Sequence, residues 1–483
     1  MADAPTTPTE TSAVYSPHLR TALVLTGTGT AGAYHAGVLR ALHEAGIKID
    51  LVAGHGIGAV GAVFAAIDGD RRLWEPDGLW RGPAAAGFYP WRGSLRIAGW
   101  LLISAFALVL LPLSLFAAGL VVYPAALLLR LAHVAWGGRL VDGFSTIVSM
   151  GFEPGNLPTI LPRLVVLVLT VLIAHLLLGS LWRARRSAVR RRQRGAFWWR
   201  VLGAPLGHAE AYHAIEAELW RLLTGGTRLK QPTPEELSRR YAELLAENLG
   251  QPGFRELLVT VHDLDVRRDL VFGMLAEPYA NEFFRRRPGV IGGGERRAGE
   301  TIDFTGVGRD HVMNALFAAA TLPILNEPHS LTFVPEHYWR GETHRLCNRL
   351  EGVGRVIEEV KAAGGEQVIV VGAWPELATP HSLVSKRVDG RGRLGEQCAA
   401  LDATAIRDAV AQQGPHFVGG IFQITPPHNP IGPFDLGGAY DERSDRRQPL
   451  SELIERGYED AYRQFIEPVV AASGDELEKK LRN

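Results

Sequence analysis

The chain opens with two successive units of strand, glycine-containing turn and helix, and this arrangement constrains the fold more than any other feature of the sequence. The first unit is an aliphatic run over 21–26, a glycine turn over 27–32 and a helical pattern over 33–45. In the second, strand, turn and helix patterns follow directly within 49–67. Alternating strands and helices favour a mainly parallel sheet covered by helices. We therefore predict an α/β fold.

The two turns and a later segment carry a recognisable pattern. The first turn contains Gly27, Thr28, Gly29 and Gly32, and the second reads Gly54-His55-Gly56-Ile57-Gly58. A small-residue segment over 311–323 follows much later and ends in Thr-Leu-Pro. Together these landmarks resemble the patatin-like phospholipase family, which has a glycine-rich oxyanion loop, a G-x-S-x-G elbow, and a distant D-G-G or D-G-A. The resemblance covers about residues 21–70 and 255–375.

The resemblance implies a patatin-like, three-layer α/β/α fold with a mainly parallel sheet, and the apolar stretches between the two matching regions predict that a transmembrane helical insertion interrupts it. We divide the chain accordingly into seven parts. They are a disordered tail (1–20), a first core part with the glycine loop and elbow (21–95), a membrane-spanning insertion (96–182), a basic juxtamembrane segment (183–200), a helical cap (201–252), a second core part (253–375) and a C-terminal extension with a final helix (376–483). Within the cap, Thr233 before Pro234 predicts a helix start.

The family's catalytic dyad is degenerate in this chain. Gly56 stands where the elbow should present serine, and aligning 338–343 with the family's Y-x-D-G-G places Arg340 on the aspartate. Glycine offers no nucleophile, and arginine cannot act as a base. Thr28 replaces a family glycine, and Ala31 replaces the family's arginine. The sequence therefore predicts a catalytically inactive protein.

Three sets of residues are considered as substitutes for the lost dyad. We interpret His55, beside Gly56, as a structural or surface histidine that points away from the oxyanion loop. Asp435 lies in a sequence that superficially resembles D-G-G, and we interpret it as a loop aspartate. His262 and Asp263 are interpreted as a strand-end turn.

Two other function classes stay open. The first is an active lipid acyl hydrolase or phospholipase that uses residues not identified from the sequence. The second is a Rossmann-like nucleotide-binding protein, because Gly27, Gly29 and Gly32 have the G-x-G-x-x-G spacing. This second alternative lacks the expected acid at the end of the following strand. The sixteen histidines are scattered without metal-ligand spacing, so we expect neither a metal nor a cofactor.

Two long apolar stretches predict a membrane protein. They cover 97–136 and 161–182, and about 20 apolar residues suffice to cross a bilayer core. Because core sequence flanks both stretches, an even number of crossings is expected. Two crossings with 137–159 as the far-side loop are the simplest arrangement, and two crossings within 97–136 are the alternative.

The residues after the second apolar stretch indicate a side of the membrane and a ligand. They include a group of arginines that we predict to bind anionic lipid headgroups, followed by Phe197, Trp198 and Trp199. The arginines of this predicted headgroup site are Arg185, Arg186, Arg190, Arg191, Arg192 and Arg194. We expect a multi-pass protein of the inner (cytoplasmic) membrane, with the core on the cytoplasmic side.

Composition narrows the partners. The 483 residues carry 51 basic and 51 acidic side chains, and this net charge of +0 argues against a general nucleic-acid binder. Cys347 and Cys398 give no disulfide framework, which suits a reducing compartment. The expected partners are membrane lipids and a second protein, for example an active homologue. The sequence thus predicts a protein of lipid metabolism or lipid sensing.

Overall fold

The computed structural model describes residues 15–134, 136–152, 160–186, 202–225, 229–285, 299–335, 337, 339–375 and 388–470. These residues divide into two compact units. One unit combines the chain up to Pro90 with the chain from Gly207 onward, and the other is Trp91–Leu206. The helical unit is thus inserted between two parts of the first unit. The predicted headgroup arginines beyond Arg186 lie outside the described residues.

The first unit contains a mainly parallel sheet. Its strands are β1 Thr21–Leu25, β2 Leu51–His55, β3 Glu256–Asp263, β4 Arg268–Met274, β5 Gly299–Asp303, β6 His329–Thr332, β7 Thr343–Cys347, β8 Gln367–Val371 and β9 Ile421–Ile424. They follow the order β5-β4-β3-β2-β1-β8-β9, with β7 paired to β3 and β6 paired to β7. A separate hairpin is formed by β10 Ala439–Asp441 and β11 Arg446–Gln448. The four central pairings, from β3 through β2, β1 and β8 to β9, are parallel.

Helices cover both faces of this sheet. The helices of the first unit are α1 Ala31–Glu44, α2 Gly58–Ala65, α3 Arg71–Trp74, α7 Ala209–Leu223, α8 Pro234–Asn248, α9 Tyr279–Arg285, α10 Val312–Ala320, α11 Val353–Ala362, α12 Gly390–Gln413 and α13 Leu450–Ala461, which continues as a π-helix over Tyr462–Val470. Ala22 and Val24 pack on one face with residues of α11 and α12, whereas Leu25 lies against α2 on the other face. Alternate residues of a strand point to opposite faces, and both faces are apolar here.

Local sequence signals place several of these elements. Thr233 caps α8, because its side-chain oxygen accepts the Glu236 N–H at 3.3 Å and Pro234 is the first helical residue. Helix α11 is followed after a short turn by strand β8, which continues the alternation of helices and strands. The predicted cap belongs to the main unit, where the Tyr241 hydroxyl donates to the Val63 carbonyl of α2.

The C-terminal region is part of the core, so its description as an extension is corrected. β9 pairs with β8 inside the sheet, and α13 packs along α1. The two helices approach closely at Gly37 and Gly457, where any side chain would meet the partner's backbone. At the other end, Tyr15 is buried against Phe422 and Phe465, so the predicted tail is part of the core from residue 15 onward.

In the described part of the second unit there are three helices, α4 Gly93–Leu131, α5 Trp136–Phe152 and α6 Ile160–Arg186. α4 continues without interruption through Pro112 and Pro124. Residues 136–152 form a helix in place of the predicted far-side loop, and Phe144 of α5 packs edge-on against Tyr123 of α4. α4 and α6 are long and apolar enough to cross a bilayer, and most of their large apolar side chains are exposed.

Candidate functional site

Gly56 occupies the turn between β2 and α2 and has a left-handed backbone, with φ of +59°. This is the place where a hydrolase elbow presents its nucleophile at the carboxyl edge of the sheet. A Cβ atom at Gly56 would lie 2.3 Å from the carbonyl oxygen of Gly27. The space for a side chain is therefore filled by the backbone of the glycine turn.

Two backbone N–H groups that would form an oxyanion hole are already bonded. In hydrolases with such an elbow, the hole uses the N–H after the nucleophile and an N–H from another loop. Here the Ile57 N–H donates to the Gly27 carbonyl at 2.9 Å, and the Thr30 N–H donates to the Pro433 carbonyl at 3.0 Å. Because these two N–H groups already donate to carbonyls, they are not free to stabilise the oxygen of a reacting ester.

The loop around Pro433 reaches the glycine turn from the C-terminal region. Gly29 has a φ of +54°, and a Cβ there would lie 1.9 Å from the Pro433 oxygen. The Thr30 hydroxyl also donates to the Gly432 carbonyl at 2.9 Å. Asp435 stabilises the same loop by accepting the Gly432 N–H at 2.8 Å. The prediction of Asp435 as a loop aspartate agrees with this geometry.

Asn348, and not Arg340, is the residue beside the elbow. Asn348 follows β7, whose last residue Cys347 pairs with His262 at the carboxyl end of β3. The Asn348 side-chain nitrogen lies 2.9 Å from the position of a Cβ on Gly56. Arg340 is exposed in the β6–β7 turn at the opposite end of β7, and five strand residues span about 16 Å. The sequence alignment of Arg340 with the catalytic aspartate is thereby corrected.

Asn348 cannot supply the missing base, because an amide is neutral and does not take up a proton at physiological pH. Its side-chain oxygen is buried without a hydrogen-bond partner among the described residues. Gly56 offers no hydroxyl and Asn348 offers no carboxylate, so these two residues cannot act as a serine–aspartate dyad.

A buried acid, Asp402 of α12, lies behind the glycine turn and was missed by the sequence reasoning. The Thr28 hydroxyl donates to its carboxylate at 2.9 Å. Burial raises the pKa of Asp402 to about 7, and the hydrogen bond from Thr28 and the nearby Trp374 indole oppose this rise. Thr28 thus replaces a family glycine with a side chain that links the turn to α12. This contact spans 374 positions of sequence, and no local pattern announces it.

His55 is a buried structural histidine, not a surface one. Its Nδ1 atom lies 3.2 Å from the hydroxyl of Thr26, which follows β1, so the ring faces the start of the glycine turn and the prediction that it points away from the oxyanion loop is wrong. Burial lowers the pKa of His55 to about 4, which keeps the ring neutral. Its other nitrogen packs against Gly352, where an added Cβ would lie 2.2 Å away. Both side chains of the Thr26–His55 pair are therefore buried and closed off from solvent.

The other substitutes considered from the sequence form pairs of their own. His262 Nδ1 lies 2.8 Å from Asp269, and Asp263 lies 2.5 Å from His344 Nδ1. Asp263 also accepts hydrogen bonds from the N–H groups of Asp265 and Val266, and these bonds form the predicted strand-end turn.

A cavity of about 460 Å³ borders the loop around Pro433. It is lined by Trp374, Pro375, Asp389, Arg391, Gly392, Gly395, Glu396, Ala399, Ala400, Asn429, Pro430, Gly432, Pro433, Phe434 and Asp435.

Comparison with family models agrees with the sequence resemblance. The family model described as "Patatin-like phospholipase" matches residues 23–117, which include the glycine turn and the elbow. Among solved structures, the chain is similar to VipD from Legionella pneumophila, with 14% identity, coverage of 94% of this chain and 67% of that chain, and a TM-score of 0.30. No curated protein matches.

Proposed function

Starting from the match of its first core part to patatin-like phospholipases, we propose that this chain is a non-catalytic patatin-like protein embedded in the cytoplasmic membrane, where it binds or senses lipid. One observation carries the loss of catalysis. The Gly27 carbonyl fills the side-chain space at Gly56 and accepts the Ile57 N–H. The nucleophile and the oxyanion hole are therefore lost together, and a mutation at one position does not restore the other.

The exposed apolar surface of the helical unit supports the membrane part of this proposal. A core helix of a soluble protein buries its apolar residues, but Trp100, Phe106 and Phe116 of α4 are each more than 60% exposed. α6 likewise exposes Val166, Leu178 and Trp182. Soluble proteins rarely expose contiguous apolar patches of this kind, whereas lipid tails solvate them at no cost. α4 is about 58 Å long, so it extends beyond a bilayer core of about 30 Å.

The proposed orientation follows from the arginines after α6. Positively charged residues that flank a membrane helix favour the cytoplasmic side, and we propose that they hold anionic headgroups there. The sheet-containing unit would then lie in the cytoplasm. In this position it can sense lipid or associate with a second protein, such as an active homologue.

A second candidate function is an active hydrolase that uses the Thr26–His55 pair. A hydroxyl 3.2 Å from a neutral imidazole has the composition of a nucleophile and its base. Against this candidate, both side chains are at most 2% exposed, and the Ile57 and Thr30 N–H groups are bonded elsewhere. We therefore place it second.

Hydrolysis of phospholipid vesicles and short-chain esters by the purified full chain separates the two candidates. The non-catalytic proposal predicts no turnover above that of a mock preparation from cells that lack the protein. Turnover that is abolished by Thr26→Val, with unchanged thermal unfolding, would establish the second candidate instead. Alkaline carbonate extraction of membranes tests the embedding separately. The protein should stay in the membrane pellet, and its release into the supernatant would contradict a membrane-spanning unit.

A further inference from the structure

His43, Asp68 and Asp70 converge at the end of the sheet unit opposite to the elbow. His43 lies in the last turn of α1, and the two aspartates flank Gly69 in the turn between α2 and α3. Each residue offers one ligand atom, and these atoms all lie within 4.8 Å of one another. No other such group of three occurs in the part of the chain that the structure describes.

The separations between these atoms fit a small cation. His43 Nδ1 lies 3.6 Å from an Asp70 oxygen and 3.9 Å from an Asp68 oxygen. Tetrahedral zinc holds nitrogen and oxygen ligands at about 2.0–2.2 Å, which places neighbouring ligand atoms about 3.4 Å apart. The two separations from His43 are within about half an ångström of this value, and all three atoms lie within 4.8 Å of one another, so small side-chain rotations would bring them onto one ion. Asp68 is half exposed, so water can reach a fourth position.

Asp70 gives an independent indication of a missing partner. Its side chain is 3% exposed; Oδ2 is the oxygen nearest His43, and the other oxygen, Oδ1, is buried with no hydrogen-bond partner among the described residues. A buried carboxylate oxygen without a partner is costly. Burial raises the pKa of Asp70, and the nearby His43 and Arg255 oppose this rise only in part. A divalent cation would offset the charge of both aspartates.

The neighbouring cations leave this position open. The Arg255 guanidinium donates to the Ala65 carbonyl at 2.5 Å and does not form an ion pair with either aspartate. Arg71 lies 3.5 Å from Nε2 of His43, the nitrogen that faces away from the acids. Binding at Nδ1 puts the proton on Nε2, so Arg71 must move aside, and its exposed side chain can do so.

From this geometry we infer that His43, Asp68 and Asp70 bind a divalent transition-metal ion of the zinc class. Imidazole nitrogen selects such ions over Mg²⁺ and Ca²⁺, which prefer all-oxygen sites. The bound ion joins the C-terminal end of α1 to the turn after α2. The N-terminal ends of the same two helices form the glycine turn and the elbow, so the ion clamps the pair of elements that build the candidate site.

Metal titration of the full chain in detergent, after treatment with EDTA, tests this inference. Isothermal titration with Zn²⁺ should give one site per chain, and Co²⁺ should give the visible absorption of a low-symmetry four-coordinate site. His43→Gln and Asp68→Asn should each weaken Zn²⁺ binding at least a hundredfold. His213→Gln is the matched control, because this exposed histidine also lies beside a carboxylate, and its variant should bind as the wild type does.

Three results would overturn the inference: no Zn²⁺ binding, binding that both variants at the site retain, or equal affinity for Mg²⁺. Asp68 is exposed and His43 is partly exposed, so the folding of both variants can be checked by thermal unfolding in EDTA, where they should match the wild type. Zn²⁺ should raise the unfolding temperature of the wild type and of His213→Gln only. The outcome does not depend on catalysis and leaves the proposed function untouched.

Discussion

Substitution of Gly56 by alanine measures whether the nucleophile position is filled. Gly56 and Gly46 have almost the same left-handed backbone, with φ of +59° and +64°. A Cβ on Gly46 meets nothing within 4 Å, whereas a Cβ on Gly56 lies 2.3 Å from the Gly27 oxygen. Gly46→Ala is therefore a matched control that contains the conformational cost without the clash.

The expected magnitudes follow from these two contributions. The left-handed conformation costs an alanine about 1–2 kcal/mol, which is the whole expected loss for Gly46→Ala. Forcing an extra carbon into a packed site costs about 1–3 kcal/mol more, so Gly56→Ala should lose about 2–5 kcal/mol. Urea unfolding of the full chain in detergent, followed by tryptophan fluorescence, gives both differences. Equal losses in the two variants would refute the conclusion that the Gly27 carbonyl fills the site.

Three further predictions follow from the site and the core. Burial raises the pKa of Asp402 to about 7, so the stability contributed by its protonated form is complete below about pH 4 and is lost as the pH rises to about 7. The free energy of unfolding of Asp402→Asn, relative to that of the wild type, should therefore rise by up to about 4 kcal/mol over this pH range and stay level above it. A difference in unfolding free energy that does not change across this range would contradict the burial argument. Gly457→Ala should destabilise the protein by more than about 1 kcal/mol, because its Cβ would lie 2.3 Å from a backbone oxygen of α1. Gly354→Ala is the control and should cost less, because the nearest neighbour of its Cβ lies at 3.8 Å. Equal shifts of the unfolding temperature in the two variants would contradict this packing. The double variant Gly56→Ser, Asn348→Asp should show no ester hydrolysis, because the Ile57 and Thr30 N–H groups remain bonded to carbonyls, and measurable turnover would show that the glycine turn can open.

Local patterns predicted the parts of the fold that depend on neighbouring residues. The β1–turn–α1 and β2–turn–α2 units follow from aliphatic runs punctuated by glycine, and the start of α8 follows from Thr233 and Pro234. The turn at Gly56 also follows from the sequence, because Gly54 and Gly58 flank it between a strand pattern and a helix pattern, and the structure places Gly56 between β2 and α2. These signals act over a few residues, and tertiary contacts did not overrule them.

The rest of the site depends on contacts between distant parts of the chain. The pairing of β7 with β3 places Asn348 beside Gly56. The local motif over 338–343 matches Arg340 to the family's aspartate instead, because a motif contains no information about strand pairing. Pro433 and Asp402 meet the glycine turn from the C-terminal region, which the sequence presented only as an extension. Strand register and long-range packing decide these contacts, and neither is encoded in a local pattern.

Intact-protein mass spectrometry after treatment with a fluorophosphonate tests the central claim most directly. The probe forms a stable covalent bond only with a hydroxyl that an enzyme has activated as a nucleophile, and an active patatin-like hydrolase labelled in parallel serves as the positive control. Because Gly56 has no side chain and the Thr26 hydroxyl is enclosed, the mass of this chain should stay unchanged. A stoichiometric adduct that maps to the glycine turn or the elbow would contradict the account.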